Sequence, residues 1–244
     1  MIYRVLIAVT VLSTLAGCAK FPSTLPTSGK QLVITLKMRG TIDPVNDDAG
    51  PGDLPDRYYF VAIDNDNDDS TGPWAVMAPP YGGEGWVTSS RAQDSVGMTS
   101  FIRYDRTNRY ADPPNCLCLW RVLPGTFFLN AVGPNPPIET SVIDNRRTLR
   151  IVIDFSQIAT DAIPADQITN LDINLITTNY LSTSGYPDFA REWDGLGQTG
   201  RDYVHVKTTN DNYYTDVDED GYFVADAHLD IESWSIQVQT VGSR

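Results

Sequence analysis

Glutamate is scarce in this chain: of 31 acidic side chains only five are Glu, at positions 84, 139, 192, 219 and 232, and the other 26 are Asp. Glu covers exposed helix faces, whereas Asp sits in turns, caps and hard-cation sites, so the shortage argues against a helical architecture. Histidine and cysteine are scarcer still, two and three in 244 residues. Neither His205 nor His228 stands in an H-E-x-x-H or C-x-x-C-H context, and there is no G-x-S-x-G elbow or phosphate-cradling P-loop. The familiar signatures of zinc proteases, haem attachment, serine hydrolases and nucleotide binding are therefore missing. Basic residues are few, 18 against 31 acids, and a formal charge of −13 repels phosphates and anionic headgroups. Nucleic acid is therefore disfavoured, and none is expected as a partner. A long apolar run is missing too: Val5 to Leu12 falls far short of the about 20 residues that cross a bilayer.

What is present at the start of the chain is an address. Residues 1–17 carry one positive charge, Arg4, then the short apolar run, then Ser13-Thr14-Leu15-Ala16-Gly17, the layout of a cleaved signal peptide. Leu15-Ala16-Gly17-Cys18 resembles the lipobox of bacterial lipoproteins. The resemblance implies that the Cys18 thiol receives lipid, palmitate included, and becomes the mature N-terminus. With Ala19 rather than Asp next, it also implies transport to the outer membrane in a cell that has one. Acyl chains at about 0.8 kcal/mol per buried methylene make such an anchor durable. An ordinary secretory signal with an incidental Cys is the alternative. Signal removal takes away Arg4 and no acid, making the protein one unit more negative. Residues 18–30, rich in Pro, Ser, Thr and Gly, read as a flexible tether, and residues 31–244 as the folded body.

Export suits the remaining cysteines, Cys116 and Cys118. In an extended strand their Cα atoms lie about 6.6 Å apart, near the limit for a disulfide. Either the backbone kinks to bridge them or they are two small buried side chains.

Along the body the hydrophobic period is two. Leu32, Ile34, Leu36 and Met38 alternate with Val33, Thr35, Lys37 and Arg39, which predicts a half-buried strand over 31–40. Similar segments follow at 57–63, 74–78, 98–104, 116–122, 126–132, 148–155, 171–178, 202–207, 222–225 and 233–241, with Gly, Pro, Asn or Asp between most of them. Only 156–169 hints at helical turns, interrupted by Pro164. About eleven strands predict a single all-β domain, an antiparallel β-sandwich of jelly-roll type. Long loops are expected at 41–56, 79–85, 133–147, 179–201 and 208–221.

Two Asp clusters are the best chemical lead. Asp216, Asp218 and Asp220 stand at positions 1, 3 and 5 of a calcium-type loop, with Gly221 at 6 and the Tyr222 carbonyl at 7, because a hard cation wants six to eight oxygens. Position 12 is Ala227 rather than a bidentate Glu, so Asp226, Asp211 or Asp230 would have to complete the shell. The second cluster offers Asp64, Asp66 and Asp68 in Asp64-Asn-Asp-Asn-Asp-Asp-Ser-Thr-Gly72. The segment from Tyr59 to Asp66, ending in Thr71-Gly72, is similar to the strand and acidic loop of exported bacterial β-sandwich modules of the carbohydrate-binding and DOMON-like type. That resemblance implies acidic residues that tie down a turn or hold calcium. The plainer alternative for both clusters is Asp side chains capping backbone amides in turns.

Aromatic residues in the loops supply the second lead. Tyr81 and Trp86 lie near Glu84, and Tyr186 and Trp193 near Asp188, Glu192 and Asp194. Rings that stack on a sugar face beside carboxylates that accept its hydroxyl protons make a glycan site, whereas the same rings turned inward plug the ends of a sandwich. A glycoside hydrolase pairing Glu84 with Glu192 or Asp194 is a further alternative. The expectation is a non-catalytic envelope lipoprotein with calcium-stabilised loops and a glycan or an envelope protein as partner. A structural or adhesive lipoprotein without a small-molecule site is its main rival.

Overall fold

The structure, a computed structural model, describes residues 28–44, 56–76, 85–91, 95–105, 117–123, 131–181, 191–217 and 224–242. It is an all-β fold of two large antiparallel sheets packed face to face, with a small third sheet lying outside them.

The smaller large sheet contains β1 (Lys30–Met38), β8 (Glu139–Ile143), β9 (Thr148–Asp154), β13 (Asn212–Val217) and β14 (Ile231–Thr240), in the order β13-β14-β1-β9-β8. The larger contains β2 (Tyr58–Asp64), β5 (Ser100–Tyr104), β6 (Cys118–Val122), β7 (Ala131–Asn135), β10 (Asn170–Thr178), β11 (Trp193–Gly195) and β12 (Val204–Lys207). It runs β11-β10-β2-β5-β6-β7, with β12 also pairing with β10. The third sheet is the pair β3 (Pro73–Ala75) and β4 (Val87–Ser89).

Alternation explains the interior. Leu32, Ile34, Leu36 and Met38 of β1 meet Tyr59, Val61 and Ile63 of β2 and Leu171, Ile173 and Leu175 of β10 in one buried cluster between the sheets. Each such side chain contributes about 1.5–3 kcal/mol on leaving water. The even-numbered partners on β2, Phe60 and Ala62, point the other way, yet they are buried too, under Trp86, Val87, Ala75, Val96 and Met98. A half-buried sheet face should be polar; here the β3–β4 pair covers it, and the run Tyr58–Ile63 is apolar throughout because β2 is buried on both faces.

One helical turn, α1 (Phe155–Ile158), follows β9 and packs Phe155 and Ile158 into the main core. Asp154 caps it: its Oδ1 accepts from Ser156 N at 2.8 Å, and Gln157 Oε1 accepts from Asp154 N at 3.0 Å, a reciprocal capping box. A 3₁₀ turn at Ala165–Gln167 comes after Pro164.

Three segments expected as loops hold strands; β11 lies within 179–201 and pairs with β10. β8 lies within the expected loop 133–147 and pairs with β9, and β13 lies within 208–221 and pairs with β14. β8 and β13 are edge strands with no fully buried side chain, and Ile143, Tyr213 and Val217 on them are exposed, so neither shows a clean apolar-in, polar-out alternation to sequence inspection. Cys118 is disulfide-bonded, so it is not the free buried thiol that one reading of the pair allowed, and Cys116 lies outside the described residues.

Candidate functional site

Asp64 is the last residue of β2 and stands opposite Asp172 of β10 in the antiparallel register. Both carboxyls lie on the outer face of the larger sheet and are buried, with 5% and 4% exposure. Burial, then the like charges of Asp66 and Asp172, push the Asp64 carboxyl up to about 7. Burial likewise raises Asp172, partly offset by His205, whose Nδ1 lies 2.6 Å from Asp172 Oδ1. The exposed strand position of His205 is thus used to partner a buried acid on the neighbouring strand.

The rest of the acidic loop works differently. Asp66 Oδ1 accepts from Asp68 N at 2.7 Å, and Asp68 Oδ1 accepts from Ser70 N at 2.9 Å and Ser70 Oγ at 2.6 Å. The Ser70 hydroxyl and amide hold the Asp68 carboxyl below the usual range. Asn67, at φ 61°, accepts from Thr169 N at 3.0 Å, Thr169 Oγ1 at 3.2 Å and Asn170 N at 3.2 Å, clamping the loop to the strand that enters β10. Asp64, Asp66 and Asp68 thus serve three separate contacts, and the i, i+2, i+4 spacing does not gather them into one shell. Among the described residues, no three His, Cys, Asp or Glu side chains form a group that could hold a metal.

A second site lies where the edges of the two sheets approach. A groove of about 320 Å³ is lined by Gln198, Asp202 and Tyr203 from the β11–β12 connection, Asp216 at the end of β13, and Trp234 of β14. Asp216 and Trp234 are directly opposed in the β13–β14 register. The connection is shaped by glycine: Gly197 has φ 79°, and a Cβ there would stand 2.0 Å from Asp202 Oδ2. Tyr203 packs on Gly72, where a Cβ would stand 2.4 Å from the ring, and this joins the groove to the acidic loop. Asp216 Oδ1 accepts from Val217 N at 2.8 Å, a local cap.

The loop aromatics turn inward. Trp86 is 1% exposed and stacks on Phe60 with centroids 3.9 Å apart, and Trp193 is 6% exposed with Gly200 against its ring. Neither indole is open to a sugar; both are core, for the physical reason that the β3–β4 cover and β11 bring them onto the sheet's outer face. Glu192 Oε2 accepts from Asp226 N at 2.8 Å and Asp194 Oδ2 from Ile231 N at 2.7 Å, so both carboxylates anchor the segment entering β14. Tyr81, Tyr186, Asp218, Asp220, Tyr222, Glu84 and Cys18 lie outside the described residues.

Sequence inspection passed over Asp172, Asp202, Tyr203 and Trp234. Asp172 carried one signal: a charged residue inside the strand sequence Leu-Asp-Ile-Asn-Leu-Ile must find a partner or a cover. Comparison with protein-family models, with curated proteins and with solved structures finds no match.

Proposed function

We propose that the protein is a lipid-anchored, non-catalytic binding module of the bacterial cell envelope, placed at the outer membrane where the cell has one, that holds a glycan with the help of calcium on the acidic loop beginning at Asp216. The anchor rests on Leu15-Ala16-Gly17-Cys18. The observation that carries the binding role is the groove in which two rings, Tyr203 and Trp234, stand beside two carboxylates, Asp202 and Asp216. Rings offer an apolar face to a sugar's C–H surface, and carboxylates accept from its hydroxyls. Asp216 also opens the run Asp216–Tyr222, so an ion there would sit at the margin of the groove and could share ligands with sugar hydroxyls.

A glycan array probed with and without calcium tests this reading. Bound glycans whose signal falls at least tenfold with a chelator and with Asp202→Asn support it. No glycan above background at any calcium concentration leaves a structural or adhesive lipoprotein, and release of free sugar makes it a hydrolase. Calcium should also raise the melting temperature: at 100-fold excess over Kd the gain is about 2.7 kcal/mol, or roughly 5–10 °C for a chain of this size. Cys18→Ser should move the protein from the membrane to the soluble fraction, and continued membrane association would remove the anchor.

A further inference from the structure

A cleft larger than the Tyr203–Trp234 groove lies away from it, at the outer side of the seven-stranded sheet beyond the end of β2. It has a volume of about 580 Å³ and is lined by Val96, Met98, Val122 and Leu123 together with Asp64, Asp66, Asp161 and Arg121. Its walls are chiefly apolar and, among the described residues, its charge is unbalanced, three carboxyls against one guanidinium. That guanidinium is already engaged: Arg121 Nη2 donates at 2.6 Å to the carbonyl of Ala159, the residue that caps the C-terminus of α1. Asn65 Nδ2 donates to Ile158 O, so the helix end is held by side chains on both sides of the acidic strand end.

Asp64 is the group that asks for an explanation. It is 95% removed from solvent, and the charged neighbours that act on it, Asp66 and Asp172, are both acidic. His205 serves Asp172 and not Asp64. The Asp64 carboxyl is hydrogen-bonded by the backbone of Asn65 and Asp66 and is neutral while it keeps its proton; once ionised beside two like charges it is relieved by a cation. A hydrated metal ion gains nothing from the walls of Val96, Met98, Val122 and Leu123, and a neutral apolar molecule leaves the carboxyls as they were. An ammonium group on an apolar chain satisfies both parts.

We propose that this cleft binds a primary alkylammonium, its charge on Asp64 and Asp66 and its chain against Met98, Val122 and Leu123. The same chemistry is carried by a free amine or by a lysine side chain of another protein. The site is separate from the Tyr203–Trp234 groove, and the proposal stands or fails independently of glycan binding.

Calorimetric titration of the full-length protein with n-hexylammonium, hexan-1-ol and hexanoate tests it. Saturable binding of hexylammonium at least tenfold tighter than hexanol, with no binding of hexanoate, is expected. Asp64→Asn should weaken hexylammonium at least tenfold, and Asp216→Asn, in the other groove, should leave it unchanged. Leu123→Trp, which fills the cleft from its rim and leaves the carboxyls intact, should also abolish binding and covers the case in which Asp64→Asn folds poorly. Affinity should rise at least tenfold from pH 5.5 to pH 8 as Asp64 gives up its proton, with Asp66, Asp161, Asp172, His205 and Arg121 the other charged groups around it. A short lysine peptide that binds more tightly than hexylammonium assigns the ammonium to a protein partner; weaker binding assigns it to a free amine. Equal affinity for hexanol and hexylammonium, or an Asp64→Asn protein that folds and binds as before, overturns the proposal.

Discussion

The inner face of the seven-stranded sheet is mainly hydrocarbon, with the uncharged Ser100 and Thr177 buried among it: Ile63, Leu171 and Ile173 are all fully enclosed between the sheets. The outer face is mixed. Around Phe60, Phe101 and Trp86 it is as apolar as the inner face, and one turn further along β2 it ends in Asp64 and Asp172. Two neighbouring outward residues of β2, Ala62 and Asp64, are thus both buried while differing completely in polarity. The difference teaches that burial on this face follows from the cover, β3–β4 and the segment before β5, and not from the sheet's own alternation. Where the cover is apolar it makes a second core; where it stops, carboxyls remain enclosed at the edge of a cleft.

The sharpest way to break the comparison is through Trp86. If the outer layer is a true core, Trp86→Ala costs about 3–5 kcal/mol, close to the about 2–5 kcal/mol for Ile63→Ala on the inner face. Its ring stacks on Phe60 and meets Phe101 edge-on at 5.4 Å, so a large cavity is left. Urea denaturation of both variants measures the ratio. A loss below about 1 kcal/mol for Trp86→Ala would reduce β3–β4 to a loosely held flap.

Next in size is the acidic end. The Asp64 carboxyl rises from 3.8 in the unfolded chain to about 7 in the fold, so the folded state binds the extra proton between those values. Stability therefore falls as pH rises from about 4 to 7, by as much as about 1.4 kcal/mol per pH unit from this group alone. Asp64→Asn removes the ionisable group, and the difference in stability between pH 5 and pH 8 should shrink by roughly 2 kcal/mol. Denaturant unfolding at the two pH values reads this directly. An unchanged pH profile would mean that water reaches Asp64 and that the two ends of the outer face do not differ as described.

Part of this was legible in the sequence. The alternation of 31–40 reads out as β1 because one face of that strand is apolar and the other polar. The apolar runs at 57–63 and 171–178 read out as strands for a different reason, their β-branched and aromatic content. β8 and β13 were hidden because edge strands need no apolar face. For Trp86 and Trp193 the sequence left two readings open, sugar platform or inward plug, because a ring in a Gly-rich segment shows its burial only once the sheet it covers is known. The meeting of Asp64 with Asp172 depends on strand register across more than a hundred residues, which no local pattern encodes. The same is true of Asp216 and Trp234 beside Tyr203, assembled from three elements on two sheets.

The smallest effect concerns the loop that separates the buried Asp64 from the exposed acids. Asn67 does two things there: its backbone takes φ 61°, and its side chain accepts three hydrogen bonds and donates one to Gln167 O at 3.1 Å. Asn67→Gly keeps the left-handed backbone and loses only the clamp; Asn67→Ala loses both. Largely exposed bonds of this kind are worth at most about 0.5–1.5 kcal/mol net, and a left-handed β-carbon costs about 1–2 kcal/mol more. Ala should therefore destabilise more than Gly by about 1 kcal/mol, against the usual order in which Gly is the worse residue for chain entropy. Thermal melts of the two variants give the sign. A Gly variant at or below the Ala variant would mean that the loop is held by Asp66 and Asp68 capping alone, and that the Asn67 clamp to Thr169 and Asn170 does not set where the buried carboxyl ends and the exposed ones begin.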